Sequence, residues 1–327
     1  KNCDFIANIP MYGKINSLVK KQIELLDLPG IEFTEGTKRF YPNSTLAPYI
    51  IGYARSNDNA EIVGEMGIEA YFDEELQGKD GYTIYQKDAY GYTMPNTTTI
   101  TEPAESGRDI YLTLDSQIQL FVENGIKDIS NNNNMEWLTF SVMDAKTGAI
   151  VASASNPTFN LNELNITSYL NPLTAYQYEP GSTMKIYSFL AAMEAGIYKG
   201  TSTYKSGTIK VDDATIKDFN GKGWGTITYD EGFSYSSNVA ATNLALELGK
   251  EELYNYYTKL GFGKKTGITL PNEGSGDIDF TYRTEVATAS FGQGITTTPI
   301  QNLQALTILT NNGVEIQPYI VEKIIDS

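Results

Sequence analysis

A serine and a lysine stand three residues apart at the start of an apolar segment, Glu179 to Gly196, which reads EPGSTMKIYSFLAAMEAG. Pro180 and Gly181 end the preceding loop, so the spacing predicts a helix with Ser182 in its first turn and Lys185 on the same face. A serine hydroxyl is a weak nucleophile until a base takes its proton. Because the chain contains no histidine, that base must be a carboxylate or an amine.

Lys185 suits this role because the segment that follows it is apolar on nearly every side and is predicted to be buried. Desolvation disfavours the charged ammonium, which lowers the pKa and makes a neutral amine available. The backbone N–H groups at the start of the helix point toward an oxyanion formed at Ser182. These residues predict serine nucleophilic catalysis with a lysine base, against the alternative of a helix cap beside a lysine whose tip reaches solvent.

The Ser-x-x-Lys spacing occurs three times in the chain. Ser17 to Lys20 falls on a predicted surface helix and Ser202 to Lys205 in a predicted polar turn, so both are expected to be solvated. Only Ser182 follows a Pro-Gly break and precedes a buried helix. The spacing by itself leaves catalysis and capping equally open.

A second polar group, Ser236-Ser237-Asn238, precedes a run of small residues that predicts another helix, Val239 to Leu248. The hydroxyl of Ser236 could relay a proton, and the amide of Asn238 could hold an amide of a substrate. As a lone tripeptide the group is more typical of a helix cap. A similar spacing, Ser130 to Asn132, lies in an asparagine run, Asn131 to Asn134, that is predicted to be a loop.

The composition excludes several classes of function. The formal charge of -16 argues against a nucleic-acid partner, because phosphate binding depends on lysine and arginine. Cys3 is the single cysteine, so a disulfide framework and a cysteine zinc site are excluded. Without histidine, no metal is expected. The sequence contains no run of 18 apolar residues and no signal-peptide pattern in its first residues, so no membrane span is predicted within it.

The order of elements from residue 106 onward predicts an α+β (α/β-type) fold with a mostly antiparallel sheet flanked by helices. Asp115 is expected to cap its helix, with Leu120 and Val122 facing inward. The predicted strands are Asp109 to Leu114, Leu138 to Asp144 and Ala149 to Ser155, and the predicted helices include Asp115 to Ile129 and a last one from Thr298 to Asn312.

The first hundred residues, rich in Tyr, Gly, Asn and charge, predict a smaller mixed α/β domain. Tyr49 to Tyr53 and Tyr82 to Gln86 are expected to be strands, and Gly64 to Gly81 an amphipathic helix that Gly78 closes. Asn96 to Gly107 has the composition of a linker. The predicted domains are therefore residues 1–105 and 106–327.

With both polar motifs in order, the chain resembles the class B, monofunctional penicillin-binding proteins. The sequence around the two motifs is YEPGSTMK and YSSNVA. The predicted hairpin before the serine is MDAKTGAIVASASNP, and a stretch near the end is SFGQGITTTPIQNLQALTILTNNG. Tyr41-Pro42-Asn43 and GEMGIEAYFDEELQGKDG resemble the non-catalytic, pedestal or dimerisation-type domain of that family. The resemblance extends from Gly30 to Pro318, nearly the whole chain.

The resemblance implies a penicillin-binding transpeptidase fold and a peptidoglycan D,D-transpeptidase that β-lactams acylate and inhibit. Ser182 would be the nucleophile acylated by a stem peptide or a β-lactam, and Lys185 the base. Ser236 would be a proton shuttle and Asn238 a ligand to the amide of the acyl chain. The family resemblance implies no metal and no cofactor.

The family has a third motif, Lys-Thr/Ser-Gly, which the sequence does not assign to either of its two KTG tripeptides. Lys146 to Gly148 lies in a hairpin turn before the nucleophile, and Lys265 to Gly267 follows the second motif too closely. The third motif is therefore expected beyond Ser327. The transpeptidase domain is predicted to be truncated before it, with an incomplete active site, and the N-terminal domain is also expected to be incomplete.

The resemblance also implies a single-pass anchor in the cell membrane upstream of this chain, with this portion extracytoplasmic. Its implied partners are a SEDS-type glycosyltransferase and other cell-wall-synthesis proteins. Two alternatives stay open: a β-lactam sensor or non-catalytic scaffold of the same fold, and a serine β-lactamase. Slow deacylation indicates a transpeptidase or a sensor, and fast turnover a β-lactamase.

Overall fold

The computed structural model describes residue 15 and residues 17–33, 38–57, 61–90, 92, 94 and 100–326. Contacts divide the chain into two compact units, Lys1–Lys38 and Arg39–Ser327. The first unit contains helix α1, Ser17–Glu24, as predicted. Lys20 and Glu24 form an i,i+4 ion pair on it, so the first Ser-x-x-Lys lies on a solvated helix. The predicted boundary between residues 105 and 106 stays a prediction.

The second unit contains the other described helices and strands. Its helices are α2 (Pro48–Ile51), α3 (Gly67–Tyr71), α4 (Asp73–Gln77), α5 (Ser116–Asn132), α6 (Met184–Glu194), α7 (Tyr229–Ser234), α8 (Asn238–Leu248), α9 (Lys250–Lys259), α10 (Arg283–Ala289) and α11 (Pro299–Thr310). Its strands are β1 (Ala54–Ser56), β2 (Ile62–Gly64), β3 (Tyr82–Ile84), β4 (Ile100–Glu102), β5 (Asp109–Leu112), β6 (Leu138–Met143), β7 (Ile150–Asn156), β8 (Thr203–Lys205), β9 (Thr208–Val211), β10 (Ala214–Lys217), β11 (Thr226–Thr228) and β12 (Val321–Ile325).

The named strands pair in antiparallel fashion throughout the described part of the chain: β1 with β2, β3 with β4, β5 with β12, β6 with β7, β8 with β11, and β9 with β10. Tyr319 links the β6–β7 hairpin to the segment that enters β12, because its N–H donates to the carbonyl of Gly148 and its carbonyl accepts from the N–H of Ile150. Helices pack on these strands, and the fold is α+β as predicted.

Helix α5 begins where the sequence predicts. The carboxylate of Asp115 accepts hydrogen bonds from the N–H groups of Gln117 and Ile118, both at 2.9 Å, and so satisfies two of the free donors of the first turn. The helix continues to Asn132. The prediction of a loop for the whole asparagine run is therefore wrong for its first two residues.

One side of α5 packs against β7, and the sequence identified only part of it. Val122 is 4% exposed, as predicted, but Leu120 is 55% exposed, so its predicted inward position is wrong. Gln119 takes the inward place because it lies three residues before Val122 on the same face. Its amide donates to the carbonyl of Ser153 and accepts from the Ser153 N–H, so a polar side chain is buried with both groups satisfied.

Three predictions for the first hundred residues are wrong in detail. Tyr49 to Tyr53 is not a strand, because Pro48 starts the short helix α2 and Gly52, with φ of 73°, ends it. The helix predicted over Gly64 to Gly81 is strand β2 followed by the two short helices α3 and α4. The predicted linker contains β4, while residues 96–99 lie outside the described residues.

Helix α6 lies at the centre of the helical part of the core. Its buried side chains include Met184, Tyr187 and Phe189, each at most 2% exposed. Met184 and Tyr187 pack in a cluster with residues of α8, α9, α10 and α11, and Phe189 packs in a neighbouring cluster. Burying a side chain of this size contributes about 1.5–3 kcal/mol. The helix that carries Ser182 and Lys185 is thus held on several sides.

None of the helices in the described residues has both the length and the apolar character needed to cross a membrane.

Candidate active site

Ser182 lies in a single tight turn that leads directly into α6. The turn is a 3₁₀ helix, Gly181–Thr183, in which Thr183 Oγ1 donates to the carbonyl of Pro180 at 2.8 Å. Gly181 has φ of 60°, which favours glycine. Ser182 itself is exposed, so its hydroxyl is accessible to a substrate.

The SFGQG segment, Ser290 to Gly294, forms hydrogen bonds with the turn that carries Ser182 and with Glu179 just before it. Gly181 N donates to the carbonyl of Gly292 at 3.0 Å, and Gly294 N donates to Glu179 Oε1 at 2.8 Å. A Cβ atom on Gly292 would lie 2.2 Å from the carbonyl oxygen of Gly181. In the sequence, SFGQG was identified only by its resemblance to the family. The structure shows that this segment contacts the turn of the candidate nucleophile.

Lys185 lies one helical turn after the serine and is only 3% exposed. Its Nζ donates to Ser182 Oγ at 3.1 Å, to Ser236 Oγ at 2.9 Å and to the Ser236 carbonyl at 2.5 Å. An ammonium group has three N–H donors, and all three have acceptors here. When the lysine loses a proton, two donors can stay on Ser236 and the free lone pair faces the hydroxyl of Ser182.

Burial sets the charge state of this lysine. Desolvation lowers the pKa of the Lys185 ammonium from 10.5 to about 8, and the negative charge of Asp218 acts in the opposite direction. Among the described residues no other charged group acts on the pKa of Lys185. A lysine of this pKa is protonated at pH 7 for most of the time but yields a neutral base at little cost. The desolvation predicted from the sequence is therefore present.

Ser236 reaches Lys185 from the turn between α7 and α8. Its φ is 54°, a left-handed conformation that costs a residue with a side chain roughly 1–2 kcal/mol. In this conformation both its carbonyl and its hydroxyl face the same Nζ. Ser237 caps α8, and its Oγ accepts from the N–H of Ala240. The cap predicted for the tripeptide and the contact between Ser236 and Lys185 thus exist together.

Asn238 starts α8 and does not contact the other three predicted residues. Its Nδ2 donates to the carbonyl of Lys217 at 2.9 Å, which fixes the orientation of the amide. The structure therefore brings together Ser182, Lys185 and Ser236 by direct hydrogen bonds and places Asn238 two residues further along the same turn.

Both KTG tripeptides form hydrogen bonds with residues of their own loops. In the hairpin, Lys146 N and Thr147 N both donate to Asp144 Oδ1. In the later loop, Thr266 is buried, and its hydroxyl donates to Glu273 Oε1 at 2.6 Å. A threonine whose hydroxyl is satisfied in this way cannot also offer it to a substrate carboxylate.

The remaining motif matches lie in regular structure. Ser202 lies immediately before β8. The other three residues of the predicted polar turn form that strand, so the prediction is wrong for them. Ser130 and Asn132 lie in α5, where the sequence predicted a loop. Within the described residues, no group of three histidine, cysteine, aspartate or glutamate side chains could hold a metal ion.

Sequence reasoning missed Asp218. Its side chain is 2% exposed and accepts hydrogen bonds from Ser237 Oγ, Val239 N and Gly207 N. Asp218 follows a short alternating strand in an acidic chain, and nothing in its local pattern distinguishes it from a solvated aspartate. Only the structure shows that it is packed beneath the second motif.

Two family models match the chain. The model described as the penicillin-binding protein transpeptidase domain matches residues 138–327. The model described as the penicillin-binding protein dimerisation domain matches residues 7–112.

Curated relatives agree with these models. Stage V sporulation protein D of Bacillus subtilis is 33% identical over 326 residues, which cover 97% of this chain and 50% of that protein. The peptidoglycan D,D-transpeptidase FtsI of Escherichia coli is 28% identical over 307 residues, covering 92% of this chain and 51% of FtsI. The chain therefore spans about half the length of the curated relatives it matches.

A solved structure, that of penicillin-binding protein 2X from Streptococcus thermophilus, is 34% identical and superimposes with a TM-score of 0.80, covering 94% of this chain and 47% of that one. Penicillin-binding protein 3 from Mycobacterium tuberculosis in complex with aztreonam is 27% identical with a TM-score of 0.75, covering 88% of this chain and 62% of the other. Since the transpeptidase model matches more than half of the chain and relatives agree along nearly all of it, the chain belongs to the class B penicillin-binding proteins.

Proposed function

We propose that this chain carries the acylation site of a peptidoglycan D,D-transpeptidase, with Ser182 as nucleophile, Lys185 as base, Ser236 as proton shuttle and Asn238 as a ligand to the acyl-chain amide. One observation carries the proposal: a buried lysine amine donates to the hydroxyls of Ser182 and Ser236 at the same time. This arrangement provides an activated nucleophile and a proton path without histidine.

The arrangement supports the following acylation step. Neutral Lys185 takes the proton of Ser182 Oγ as that oxygen bonds to the carbonyl carbon of the D-Ala-D-Ala peptide. The C–N bond to the terminal D-Ala breaks, and the departing nitrogen receives the proton from Lys185 through the hydroxyl of Ser236. In the second half, an amine of a neighbouring stem peptide attacks the ester carbonyl and loses a proton to the same groups. The C–O bond to Ser182 breaks, and Ser182 Oγ takes that proton from Lys185.

A β-lactam enters the same first step. Ser182 Oγ attacks the lactam carbonyl, and the ring C–N bond breaks, but the nitrogen stays attached to the acyl group. Because this leaving group is not released, we expect it to hinder the incoming amine, and the ester persists. Within the described residues no carboxylate forms a hydrogen bond with Ser182, which favours a long-lived adduct over the rapid hydrolysis of a β-lactamase.

Partners and location follow from membership of the family and belong to the same proposal. The stem peptides lie outside the cell membrane, so the chain is assigned to the extracytoplasmic part of a protein with a single membrane anchor. A SEDS-type glycosyltransferase and other cell-wall-synthesis proteins are the proposed protein partners.

The test uses the gene product in full and measures its intact mass before and after excess benzylpenicillin. We expect one penicillin molecule per chain, no adduct in Ser182→Ala, and an unchanged adduct in Ser202→Ala, which removes an exposed serine with the same Ser-x-x-Lys spacing. A folded protein that forms no adduct contradicts the proposal and favours the scaffold. An adduct that is lost within seconds instead indicates a β-lactamase.

A further inference from the structure

Asp218 is a buried carboxylate whose side-chain hydrogen bonds reach the second motif and Gly207, the residue before β9. Its Oδ1 accepts from Ser237 Oγ at 2.8 Å and from Val239 N at 3.1 Å, and its Oδ2 accepts from Gly207 N at 2.7 Å. Burial of a carboxylate is costly unless its oxygens are hydrogen-bonded. Three donors from three separate residues meet that condition, so the site is built around this side chain.

The dipeptide Lys217-Asp218 holds the first turn of α8 at two points. The carbonyl of Lys217 accepts from Asn238 Nδ2 at 2.9 Å, while the Asp218 carboxylate binds the side chain of Ser237 and the N–H of Val239. Lys217 is the last residue of β10 and Asp218 follows it directly, so the pairing of β10 with β9 fixes their position. Residues 237–239 therefore cannot shift without breaking contacts to this strand end.

These contacts fix the backbone conformation of Ser236. It has a left-handed backbone, which persists only when its surroundings enforce it. On one side its N–H donates to the carbonyl of Phe233, and on the other Ser237 is held by Asp218. This placement directs the carbonyl and the hydroxyl of Ser236 to Lys185 Nζ.

The charge of Asp218 also acts on Lys185, from a carboxylate that binds Ser237, the neighbour of the residue that contacts the amine. The hydrogen-bond acceptors that touch Lys185 Nζ are two hydroxyls and a carbonyl, all uncharged. Asp218 is the charged group whose field favours the ammonium form. The charge of Asp218 also acts on Tyr204, and since burial raises the pKa of Tyr204 to about 12, that side chain is neutral at physiological pH.

We propose that Asp218 is a positioning residue of the acylation site, which fixes Ser236 against Lys185 through the start of α8 and brings a buried negative charge to the turn that contacts this lysine. The inference rests on the proposed acylation of Ser182 and assigns to that site a carboxylate outside the two motifs. It has two separable consequences, one for geometry and one for the charge state of Lys185.

The charge consequence is tested by the pH dependence of the second-order rate of acylation by a fluorescent penicillin, measured on the gene product in full. The wild type is expected to show a rise with a midpoint near pH 8, where Lys185 becomes neutral. In Asp218→Asn the ammonium loses the stabilising charge of Asp218, so the midpoint moves to lower pH, by about one unit. A midpoint at the wild-type pH, or above it, overturns the proposal.

Glu273→Gln is the matched control. Glu273 is also buried, at 9% exposure, and accepts three hydrogen bonds, from Thr266 N, Thr266 Oγ1 and Gly267 N. It does not act on the pKa of Lys185. The control should keep the wild-type midpoint, because removing a buried carboxylate elsewhere affects packing and not this lysine. A midpoint that moves equally in both variants overturns the proposal.

The geometric consequence is tested by Ser237→Ala, which keeps the Asp218 charge and removes its side-chain link to α8. We expect the midpoint to stay at the wild-type pH while the plateau rate falls roughly tenfold, since Ser237 Oγ loses both its hydrogen bond to Asp218 and the cap that it provides to Ala240 N. A wild-type plateau overturns the proposal. This variant also decides the matter if Asp218→Asn does not fold, as judged by its thermal melting curve.

The wild-type curve separates failure of this inference from failure of the proposed function. A wild type that forms no adduct at any pH contradicts the proposed acylation of Ser182. A wild type that is acylated, together with Asp218→Asn that keeps the wild-type midpoint, leaves the proposed function intact and removes Asp218 from its mechanism.

Discussion

Two loops of the molecule each place a hydroxyl beside a lysine, and they use the pair in opposite ways. In the turn at Ser182, the lysine is buried and the hydroxyl is exposed. In the loop at Thr266, the hydroxyl is buried against Glu273 and Lys265 is exposed. A buried lysine loses its preference for charge, and an exposed hydroxyl stays accessible, so only the first loop is suited to react.

The comparison shows that the tripeptides alone do not determine which loop is reactive. What differs is the neighbour that each hydroxyl finds. Thr266 finds the carboxylate of Glu273, seven residues later in its own loop, at 2.6 Å, which satisfies it, whereas the one side-chain partner of Ser182 within the described residues is the amine of Lys185. A satisfied hydroxyl stabilises a loop, and a hydroxyl whose one side-chain partner is a base is available for chemistry.

The largest expected effect comes from Lys185→Met, which keeps a long side chain and removes the base. Loss of a general base costs about 10²–10⁴-fold in rate, so acylation by a fluorescent penicillin should fall by that factor. Lys265→Met, at the exposed lysine of the second loop, should acylate at the wild-type rate. Equal losses in the two variants would erase the distinction between the loops.

Stability should change in the opposite direction to activity. In the folded chain the pKa of Lys185 is lowered to about 8 from 10.5, so the ammonium form destabilises the fold by on the order of 1–3 kcal/mol below pH 8. The penalty shrinks as pH rises from 8 to 10.5 and is absent above. Lys185→Met should therefore melt higher than wild type at pH 7, with a gain that disappears at alkaline pH. A gain that is independent of pH contradicts this assignment.

Gly292→Ala should have the next largest effect, because it disturbs the contact between Gly292 and the turn that carries Ser182. The new Cβ would meet the carbonyl oxygen of Gly181 at 2.2 Å and the residue has φ of 75°. Left-handed strain and the clash together should destabilise the fold by roughly 2–4 kcal/mol, and acylation should fall with it.

Gly313→Ala is the control for backbone strain. Gly313 has φ of 82° but nothing within 4 Å of its Cβ position, so only the strain of about 1–2 kcal/mol applies. Denaturant unfolding of the two variants should show the difference. Equal destabilisation would mean that the contact between residues 181 and 292 contributes nothing.

The smallest expected effect on acylation belongs to Glu273→Gln in the second loop. The amide keeps one acceptor but turns an N–H toward a backbone donor, which should lower the free energy of unfolding by about 1–3 kcal/mol. The acylation rate of the folded protein should not change. A fall in that rate at constant folded fraction would indicate that the loop at Thr266 takes part in the chemistry.

Local signals were sufficient for much of the fold. Asp115 caps α5 as predicted, Thr298 caps α11 at the residue where the last helix is predicted to begin, and the turn at Gly148 joins two strands as predicted. Such features depend on hydrogen bonds a few residues apart, which a sequence displays directly.

Other features depend on residues far apart in the chain, and for these the sequence was insufficient. Leu120 is exposed because Gln119 binds the backbone of β7, more than thirty residues away. Asp218 is buried because Ser237, nineteen residues later, binds it. For the site, the family resemblance implied Ser182, Lys185, Ser236 and Asn238 as a group, but the carboxylate and the glycine that contact this group are visible only in three dimensions.

The close backbone contact between Gly181 and Gly292 has a consequence for predicting which homologous genes encode active enzymes. Searches for active members of a family usually check the reactive side chains. A gene copy that keeps Ser182 and Lys185 but carries any other residue at 292 must place a side chain where the carbonyl of Gly181 lies. Such a copy is expected to have a displaced Ser182 turn despite an intact motif, so the residue at position 292 should be checked together with the serine.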